Sequence, residues 1–184
     1  MRSKKSIFFL ILVVIGIGFG TAYYFWPKNK AVEIQDFDFK KDSAKVEALF
    51  HKGDNYYWMI GSGSAYSLDH MLRYKSSSQY EKKYDMVLKV LKVGDNIAGF
   101  LGYFPHSAHV WQLLFLMVDQ DFRRQGIAKK LLKFAVDDMV ARGAIKVRLD
   151  TRDNNFKAQN LYKNFGFKLT GSDNGFVHFS WYKQ

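Results

Sequence analysis

The sequence predicts an α/β fold, with a mixed central sheet flanked by helices, behind one N-terminal transmembrane helix. Two runs of β-forming residues, Met86–Val93 and Ile97–Phe104, are separated by Gly94-Asp95-Asn96, which is typical of a β-hairpin. The apolar run Val110–Val118 is followed by apolar residues at helical spacing, as in a strand that leads into a crossover helix. The segment Ile7–Trp26 has 20 positions without a charge, enough for a helix to cross a bilayer core.

The apolar segment Ile7–Trp26 is open to three interpretations. Aromatic residues at its C-terminal end and a following proline suit a membrane anchor. Three basic residues before it, and Gly20-Thr21-Ala22 within it, also resemble a cleaved signal peptide. The third interpretation, a buried core helix, would require a polar face that this segment lacks. We expect an uncleaved anchor, so that residues 1–30 form a basic N-terminus, anchor and linker, and residues 31–184 form one domain.

The composition excludes several kinds of site. The formal net charge of +11 favours anionic partners without choosing among them. No block of Lys and Arg after residue 30 resembles a nucleic-acid-binding arm, so nucleic acid is not an expected partner. The chain has no cysteine, which excludes a disulfide framework, a thiolate zinc site and a cysteine nucleophile. No metal site is expected.

The first part of the domain is predicted to contain one strand and two helices. Val32–Phe39 alternates apolar and polar residues, which indicates a half-buried strand. Ser43 is predicted as the N-cap of a short helix whose apolar residues lie within Val46–Phe50. A second helix is predicted over Leu68–Tyr74, after the hydrophobic pattern loosens.

The middle of the domain follows the hairpin with a strand, a helix and another strand. The run Val110–Val118 predicts a central strand buried on both faces. Apolar residues recur at helical spacing from Ile127 to Met139, and Gly143 is predicted to end this helix. The alternation over Ile145–Leu149 indicates a fifth strand.

One helix and two strands complete the chain. Asp153 or Asn154 is predicted to cap the helix, and Gly166 to end it. Phe167–Thr170 and Phe176–Tyr182 are predicted strands. The order from Val32 is therefore β, α, α, β, β, β, α, β, α, β, β, which is an α/β arrangement.

The junction between the central strand and the long helix is the clearest candidate binding loop. Gly126 and Ala128 are small, so a ligand could approach the backbone closely. The first N–H groups of a helix lack intrahelical partners and attract anions. This geometry suits a pyrophosphate, although small residues at this point would also allow close packing of the helix against the strand.

Two motifs resemble those of the GNAT acetyltransferase superfamily. Arg123-x-x-Gly126-x-Ala128 follows a strand, as does that family's Arg/Gln-x-x-Gly-x-Gly/Ala signature. Asn155-x-x-Ala158-x-x-x-Tyr162-x-x-x-Gly166-Phe167 is similar to a second motif of the same family. The resemblance covers residues 32–182 but is sharp only over 118–167, and the apolar N-terminal segment lies outside it.

The resemblance implies acetyl-CoA as the acyl donor and an amine as the acceptor. It also implies hydrogen bonds from the strand to the pantetheine arm, from the loop to the pyrophosphate and from Asn155 to the cofactor. The implied cofactor-binding residues are Leu116, Val118, Arg123, Arg124, Gln125, Gly126, Ile127, Ala128, Lys129 and Asn155. Tyr162 would lie beside the sulfur and protonate the departing thiolate. A core aromatic with a satisfied hydroxyl is the alternative for Tyr162.

The general base is not evident from the sequence. Residues 109–118 contain no carboxylate, although many relatives carry a glutamate on this strand, and Gln112 cannot accept the proton. His109 has a suitable ordinary pKa and is the candidate that we retain beside Tyr162 as catalytic. His106, Asp85 and Glu81 have no better support, and a water chain could serve instead.

The sequence thus predicts a membrane-anchored N-acetyltransferase. A non-catalytic acyl-CoA-binding module at a membrane is the alternative, because no base is assigned. Acetyl-CoA is expected chiefly in the cytoplasm, which favours a single-pass protein whose domain faces that side. The acceptor, a small molecule or a protein, is not identified. The aromatic residues of Tyr56–Tyr66 would either form its binding wall or pack beneath a loop.

Overall fold

A computed structural model describes residues 32–59 and 86–184, which form a seven-stranded sheet with helices on both faces. The strands are β1 (Val32–Asp36), β2 (Val87–Val93), β3 (Asn96–Pro105), β4 (Val110–Val118), β5 (Lys146–Arg152), β6 (Lys168–Asp173) and β7 (Phe176–Tyr182). The helices are α1 (Phe39–His51), α2 (Asn55–Met59), α3 (Ile127–Ala141) and α4 (Phe156–Phe165). A 3-10 turn, Gln120–Phe122, follows β4. The predicted mixed α/β sheet is confirmed.

The strand order is β1-β2-β3-β4-β5-β7-β6. The described strands pair in antiparallel fashion, except that β4 and β5 are parallel and are joined by a crossover through α3. The predicted hairpin is present, because β2 and β3 pair on either side of Gly94 and Asp95. This order places the single parallel pair near the middle of the sheet.

Two hydrophobic clusters lie on opposite faces of the sheet. On one face, α3 and α4 bury residues such as Leu131 and Tyr162 against Leu113 and Leu149. On the other face, α1 covers β2, β3 and β4 with a smaller cluster around Phe50. Because side chains alternate along a strand, Val147, Leu149 and Thr151 face the larger cluster, and the intervening residues of β5 face the side of α1.

The start of α1 differs from the prediction. Asp38 is the N-cap, and its carboxylate accepts hydrogen bonds from the N–H groups of Lys40 at 2.9 Å and Lys41 at 3.2 Å. Ser43 lies inside the helix, where its hydroxyl donates to the Phe39 carbonyl at 2.6 Å. The predicted cap is therefore wrong: an ionised carboxylate stabilises the first turn more than a neutral hydroxyl does, so the helix begins about a turn earlier.

The cap of α4 is one residue later than predicted. Asn155, rather than Asp153 or Asn154, accepts a hydrogen bond from the Ala158 N–H at 3.2 Å. The helix ends as expected at Gly166, which has a φ of 108° and donates to the carbonyls of Tyr162 and Lys163.

The central strand β4 is not buried on both faces. Its side chains alternate between buried and more exposed positions, and Leu114 is 46% exposed. Leu114 is the extra residue of a β-bulge, because Gly102 pairs with Phe115 while Tyr103 pairs with Leu113. The bulge turns one apolar side chain out of the sheet, which a run of apolar letters does not reveal.

Two further predictions lie outside the described residues: the helix over Leu68–Tyr74 and the transmembrane helix over Ile7–Trp26. Among the residues that the structure does describe, no helix has the length and apolar character needed to cross a bilayer.

Candidate active site

β4 and β5 diverge partway along their length. They pair from Val110 with Lys146 to Leu113 with Leu149. Beyond these pairs, no backbone hydrogen bond between described residues joins segment 114–118 of β4 to segment 150–152 of β5. We call the gap between these two segments the notch. The half-buried residues Leu116 and Val118 lie along its β4 side, and α3 begins just after β4 ends.

The loop after β4 presents a row of backbone N–H donors over residues 124–129, and we call these residues the donor loop. Within the described part of the chain, nothing accepts a hydrogen bond from the N–H groups of residues 124–129. The first backbone bond of α3 runs from the Lys130 N–H to the Gly126 carbonyl at 3.0 Å. Buried or oriented N–H groups without acceptors are uncommon in folded proteins, and a helix start that carries them is a ready anion site.

Backbone conformation creates this row of donors. Gly126 is the N-cap of α3 at a φ of 77°, and Arg124 has a φ of 66° in the same left-handed region. A non-glycine residue in this region stores strain, which is found most often at functional sites. An ideal Cβ on Gly126 would meet no atom within 4 Å, so the glycine faces open space. The loop therefore fits a pyrophosphate, with exposed Arg124 and Lys129 adding positive charge.

Arg123, the first residue of the motif, is engaged within the protein. Its guanidinium donates to the side chains of Asp54 at 2.8 Å and Asn55 at 2.7 Å, and to the Val118 carbonyl at 3.3 Å. Its backbone N–H bonds to the Gln120 carbonyl. The guanidinium of Arg123 thus holds α2 against the loop, and its predicted contact with the cofactor stays a prediction. The same arginine lowers the pKa of the Asp54 carboxyl by its hydrogen bond.

A second ion-pair group joins α1 to the end of β4. The Lys52 ammonium contacts Asp119 at 2.7 Å and also contacts Asp121. These hydrogen bonds raise the pKa of Lys52. Next to it, Gly53 has a φ of 62°, and an added Cβ would lie 2.5 Å from Gln120 Oε1. The α1–α2 turn is thus packed closely onto the segment that leads to the donor loop.

Tyr162 lies in the larger core cluster and is 6% exposed. Its ring contacts those of Phe167 and Phe179, each with a centroid distance of 6.0 Å. Burial raises the pKa of the Tyr162 phenol, so the hydroxyl stays protonated at neutral pH. No described residue hydrogen-bonds this hydroxyl. Asn155, about two turns before it at the N-cap of α4, uses Oδ1 to cap the helix.

His109 lies at the opposite end of β4 from the loop. Its ring contacts the Gly143 carbonyl at 3.2 Å through Nδ1, and its side chain is exposed. Five positions along the chain separate it from Leu114, where the notch begins, a span of roughly 16 Å at the usual rise of a strand. This distance is too long for direct proton transfer at the notch, so the position of His109 does not favour its predicted role as general base.

A pair formed by a carboxylate and an imidazole lies next to the notch, and the sequence did not predict it. The Asp150 carboxylate is 2.6 Å from His178 Nδ1, and Gln112 donates to the other oxygen of Asp150 at 3.2 Å. Asp150 is the first residue of β5 beyond its last pair with β4. The hydrogen bond from His178 to Asp150 is the main reason that the pKa of His178 is raised.

A polar residue on the face of β5 opposite Leu149 was a weak signal that could have indicated Asp150. His178 could not be found in this way, because its pairing depends on the register of β5 with β7. The alternative base His106 lies exposed in the turn between β3 and β4, and Asp85 and Glu81 lie outside the described residues. Within those residues, no cluster of three potential metal ligands occurs.

Helix α2 lies across the far side of the notch. Arg152 donates through Nε to the Tyr57 carbonyl at 3.0 Å, and its guanidinium lies 4.7 Å from the Tyr57 ring centroid. Asn154 donates to the Tyr57 hydroxyl at 3.3 Å. With Arg123 holding the other end of α2, this helix bridges the loop after β4 and the end of β5. Tyr57 thus belongs to a wall of the site, while residues 60–66 lie outside the described ranges.

Comparison with known proteins identifies the family. The model of the Acetyltransferase (GNAT) family matches residues 47–167, more than half of the chain. N-acetyltransferase 8 of Homo sapiens is 43% identical over 60 residues, which span 33% of this chain and 26% of that protein. The [Ribosomal protein bS18]-alanine N-acetyltransferase of Salmonella typhimurium is 36% identical over 52 residues, or 28% of this chain and 35% of that one. The alignments thus span about a quarter to a third of these curated relatives.

The fold itself is shared over nearly the whole described domain. The crystal structure of PaiA N-acetyltransferase from Thermoplasma acidophilum in complex with coenzyme A superposes with a TM-score of 0.64. It is 17% identical in sequence, and the match covers 83% of this chain and 99% of that chain. Together with the matched family model, the notch and the donor loop, these findings show that the chain belongs to the GNAT family of acetyltransferases.

Proposed function

We propose that this chain transfers the acetyl group of acetyl-CoA to the amine of an acceptor, while anchored to a membrane by residues 7–26. The observation that carries the proposal is the row of N–H groups without acceptors over residues 124–129, beside a notch between two parallel strands. Acetyl-CoA supplies an activated acyl group as a thioester. The protein must then hold the donor, accept a proton from the amine and stabilise the leaving sulfur.

The donor side is formed by β4 and the loop. Backbone N–H groups of Arg124, Gln125, Gly126, Ile127, Ala128 and Lys129 would hold the pyrophosphate oxygens, and the charges of Arg124 and Lys129 would add to the attraction. Backbone groups of Leu116 and Val118 line the notch, where the extended pantetheine arm would pair with them. Asn155 lies at the start of α4 on the other side of the notch and offers its amide N–H₂ group.

The acceptor side is formed by Asp150 and His178. An amine of ordinary pKa is protonated at neutral pH and must lose a proton before it attacks a carbonyl. The Asp150 carboxylate would bind the ammonium group at the notch, and the Asp150–His178 pair would take its proton. Asp150 fixes the imidazole through Nδ1, and the second proton site, Nε2, lies 3.4 Å from the Asp173 carboxylate. In this proposal the pair replaces His109.

Tyr162 is the proposed donor to the leaving sulfur. Because burial raises the pKa of its phenol, the hydroxyl carries its proton throughout the physiological pH range. It can therefore donate a hydrogen bond to the sulfur as negative charge develops there. The aromatic contacts with Phe167 and Phe179 fix the direction of the ring.

The acceptor class and the location are further parts of the proposal. The similarity to a ribosomal-protein alanine N-acetyltransferase supports a protein amine as one acceptor class. The uncharged segment of 20 residues supports an anchor. We place the domain on the cytoplasmic side because acetyl-CoA is expected there. A reporter fused after Gln184 that becomes active only outside the cytoplasm would refute this orientation.

Thiol release from acetyl-CoA by the full-length chain in detergent, with a broad panel of amines, tests the activity. Acetylated products should appear by mass spectrometry for at least one amine. Acetyl-CoA binding without turnover on any amine would instead support the non-catalytic acyl-CoA-binding module.

A further inference from the structure

Arg152 is a cationic group at the notch, and most of its hydrogen-bond donors have no acceptor among the described residues. It projects from β5 on the face opposite the large core cluster, two positions after Asp150. Its Nε donates to the Tyr57 carbonyl. Within residues 32–59 and 86–184, neither Nη atom has a hydrogen-bond acceptor and no carboxylate forms an ion pair with the guanidinium. Four N–H bonds on the outer edge of this half-buried group are thus available.

Two aromatic rings hold this guanidinium in place. The Tyr57 centroid lies 4.7 Å and the Phe176 centroid 5.2 Å from Arg152 Cζ. The rings are only partly covered, at 40% exposure for Tyr57 and 37% for Phe176. A guanidinium fixed in this way presents a planar pair of donors, the geometry that binds a carboxylate with two parallel hydrogen bonds. Little side-chain entropy remains to be lost when such an anion binds.

The spacing along β5 relates this arginine to the proposed amine site. Residues two apart on a strand lie on the same face, about 6.6 Å from each other. Asp150 at the notch would hold a positive amine, and Arg152 one step further along would hold a negative group. The alternation of charge suits a molecule that carries an ammonium and a carboxylate a few ångströms apart.

From this arrangement we infer that the acceptor is an amino acid with a free carboxylate, bound by Arg152 while its amine lies against Asp150. The inference rests on the proposed acetylation of an amine, and it names a free amino acid, rather than a protein amine, as the preferred acceptor. Arg148, on the same face two positions before Asp150, also has no ion pair among the described residues. It lies where β4 and β5 are still paired, away from the open part of the notch, so it serves as the matched control.

The test compares three forms of the same acceptor on the full-length chain in detergent. Proteinogenic amino acids, their C-terminal amides and the corresponding decarboxylated amines are supplied with acetyl-CoA, and kcat/KM is measured for each. The kcat/KM values of the free acids should exceed those of the amides and amines by about tenfold or more, because the amides and amines cannot form the charge-assisted hydrogen bonds with Arg152. Equal rates, or a preference for amides or for peptide N-termini, would overturn the inference.

Variants locate the effect. Arg152→Gln should bring the ratio of acid to amide close to one by lowering the rate with acids alone, whereas Arg148→Gln should leave the ratio unchanged. An equal loss of kcat/KM with acids and amides would mean that Arg152 only holds α2. Weaker acetyl-CoA binding would mean that Arg152 binds an anionic group of acetyl-CoA rather than the acceptor. Either result overturns the inference. If no amine is acetylated, the proposed function fails. Calorimetry in the presence of coenzyme A then tests the Arg152 site separately: tighter binding of the acids than of the amides supports it, and equal binding overturns it.

Discussion

The Asp150 carboxylate lies 2.6 Å from Nδ1 of His178, on neighbouring strands, at the point where β5 separates from β4. A second carboxylate, Asp173, lies 3.4 Å from Nε2 of the same ring. The imidazole is thus held between two acids, and Gln112 fixes the remaining oxygen of Asp150. This arrangement combines a defined ring orientation with a titratable group beside the notch.

Replacing Asp150 by Asn should remove the proposed proton acceptor with little change in shape. We expect kcat/KM for the amine to fall about a hundredfold or more, in line with the usual contribution of general base catalysis. Acetyl-CoA affinity, measured by calorimetry, should stay within about twofold because the donor loop is untouched. Asp137→Asn, at an exposed ion pair with Lys133 on α3, is the control. A rate unaffected by Asp150→Asn would exclude the pair from catalysis.

His178 should also make stability depend on pH. Its pKa in the folded protein is raised above the ordinary value of 6.5, chiefly by the hydrogen bond to Asp150. The resulting stabilisation is complete below the unfolded-state pKa and is lost as pH rises through the raised value. The free energy of unfolding from urea titrations should therefore decrease across this window for the wild type and less so for His178→Gln. Parallel curves for the two proteins would show that the imidazole is not coupled to its acids.

Local patterns account for most of what the sequence predicted. The hairpin, the crossover and the donor loop follow from periodicity and from glycine positions such as Gly126, which residues close in sequence determine. The Asp150–His178 pair could not be predicted, because 28 positions separate the residues and only the strand register brings them together. The bulge at Leu114 was missed for the same reason, since it is a property of two strands. Ser43 was the predicted cap of α1, but Asp38 is the cap, because its carboxylate interacts more favourably with the helix start.

Gly126→Ala should weaken acetyl-CoA binding more than it destabilises the fold. The Cβ would project into open space beside the N–H groups of the loop, where the pyrophosphate would lie, and should lower affinity by about tenfold or more. The left-handed φ adds a cost of about 1–2 kcal/mol to folding. Gly143→Ala is the matched control, since Gly143 has a φ of 100° and open space at the other end of α3. Equal affinity in the two variants would exclude the loop as the pyrophosphate site.

Tyr162→Phe should separate the hydroxyl from the ring. The ring contacts with Phe167 and Phe179 remain, so the melting temperature should change little. We expect kcat to fall by about tenfold to a hundredfold or more, with acetyl-CoA affinity nearly unchanged, because the hydroxyl acts only once charge develops on the sulfur. Turnover equal to that of the wild type would assign Tyr162 to packing alone.

Gly99→Ala should destabilise the domain by crowding α3 against the sheet. An ideal Cβ at Gly99 would lie 2.7 Å from Leu131 Cδ1 and 3.1 Å from the Met117 carbonyl oxygen. Leu131 is fully buried, and the Met117 carbonyl belongs to the backbone of β4, which leads to the donor loop. Neither the Leu131 methyl group nor this carbonyl therefore has free space to move. Overpacking of this kind costs about 1–3 kcal/mol, measurable by urea denaturation. Gly171→Ala, whose Cβ would be 3.5 Å from His178 Cδ2 in the exposed strand β6, should change stability far less. Equal stability of the two variants would show that α3 can shift on β3 at no cost, and the position of its N-terminus at the notch would then not depend on Gly99.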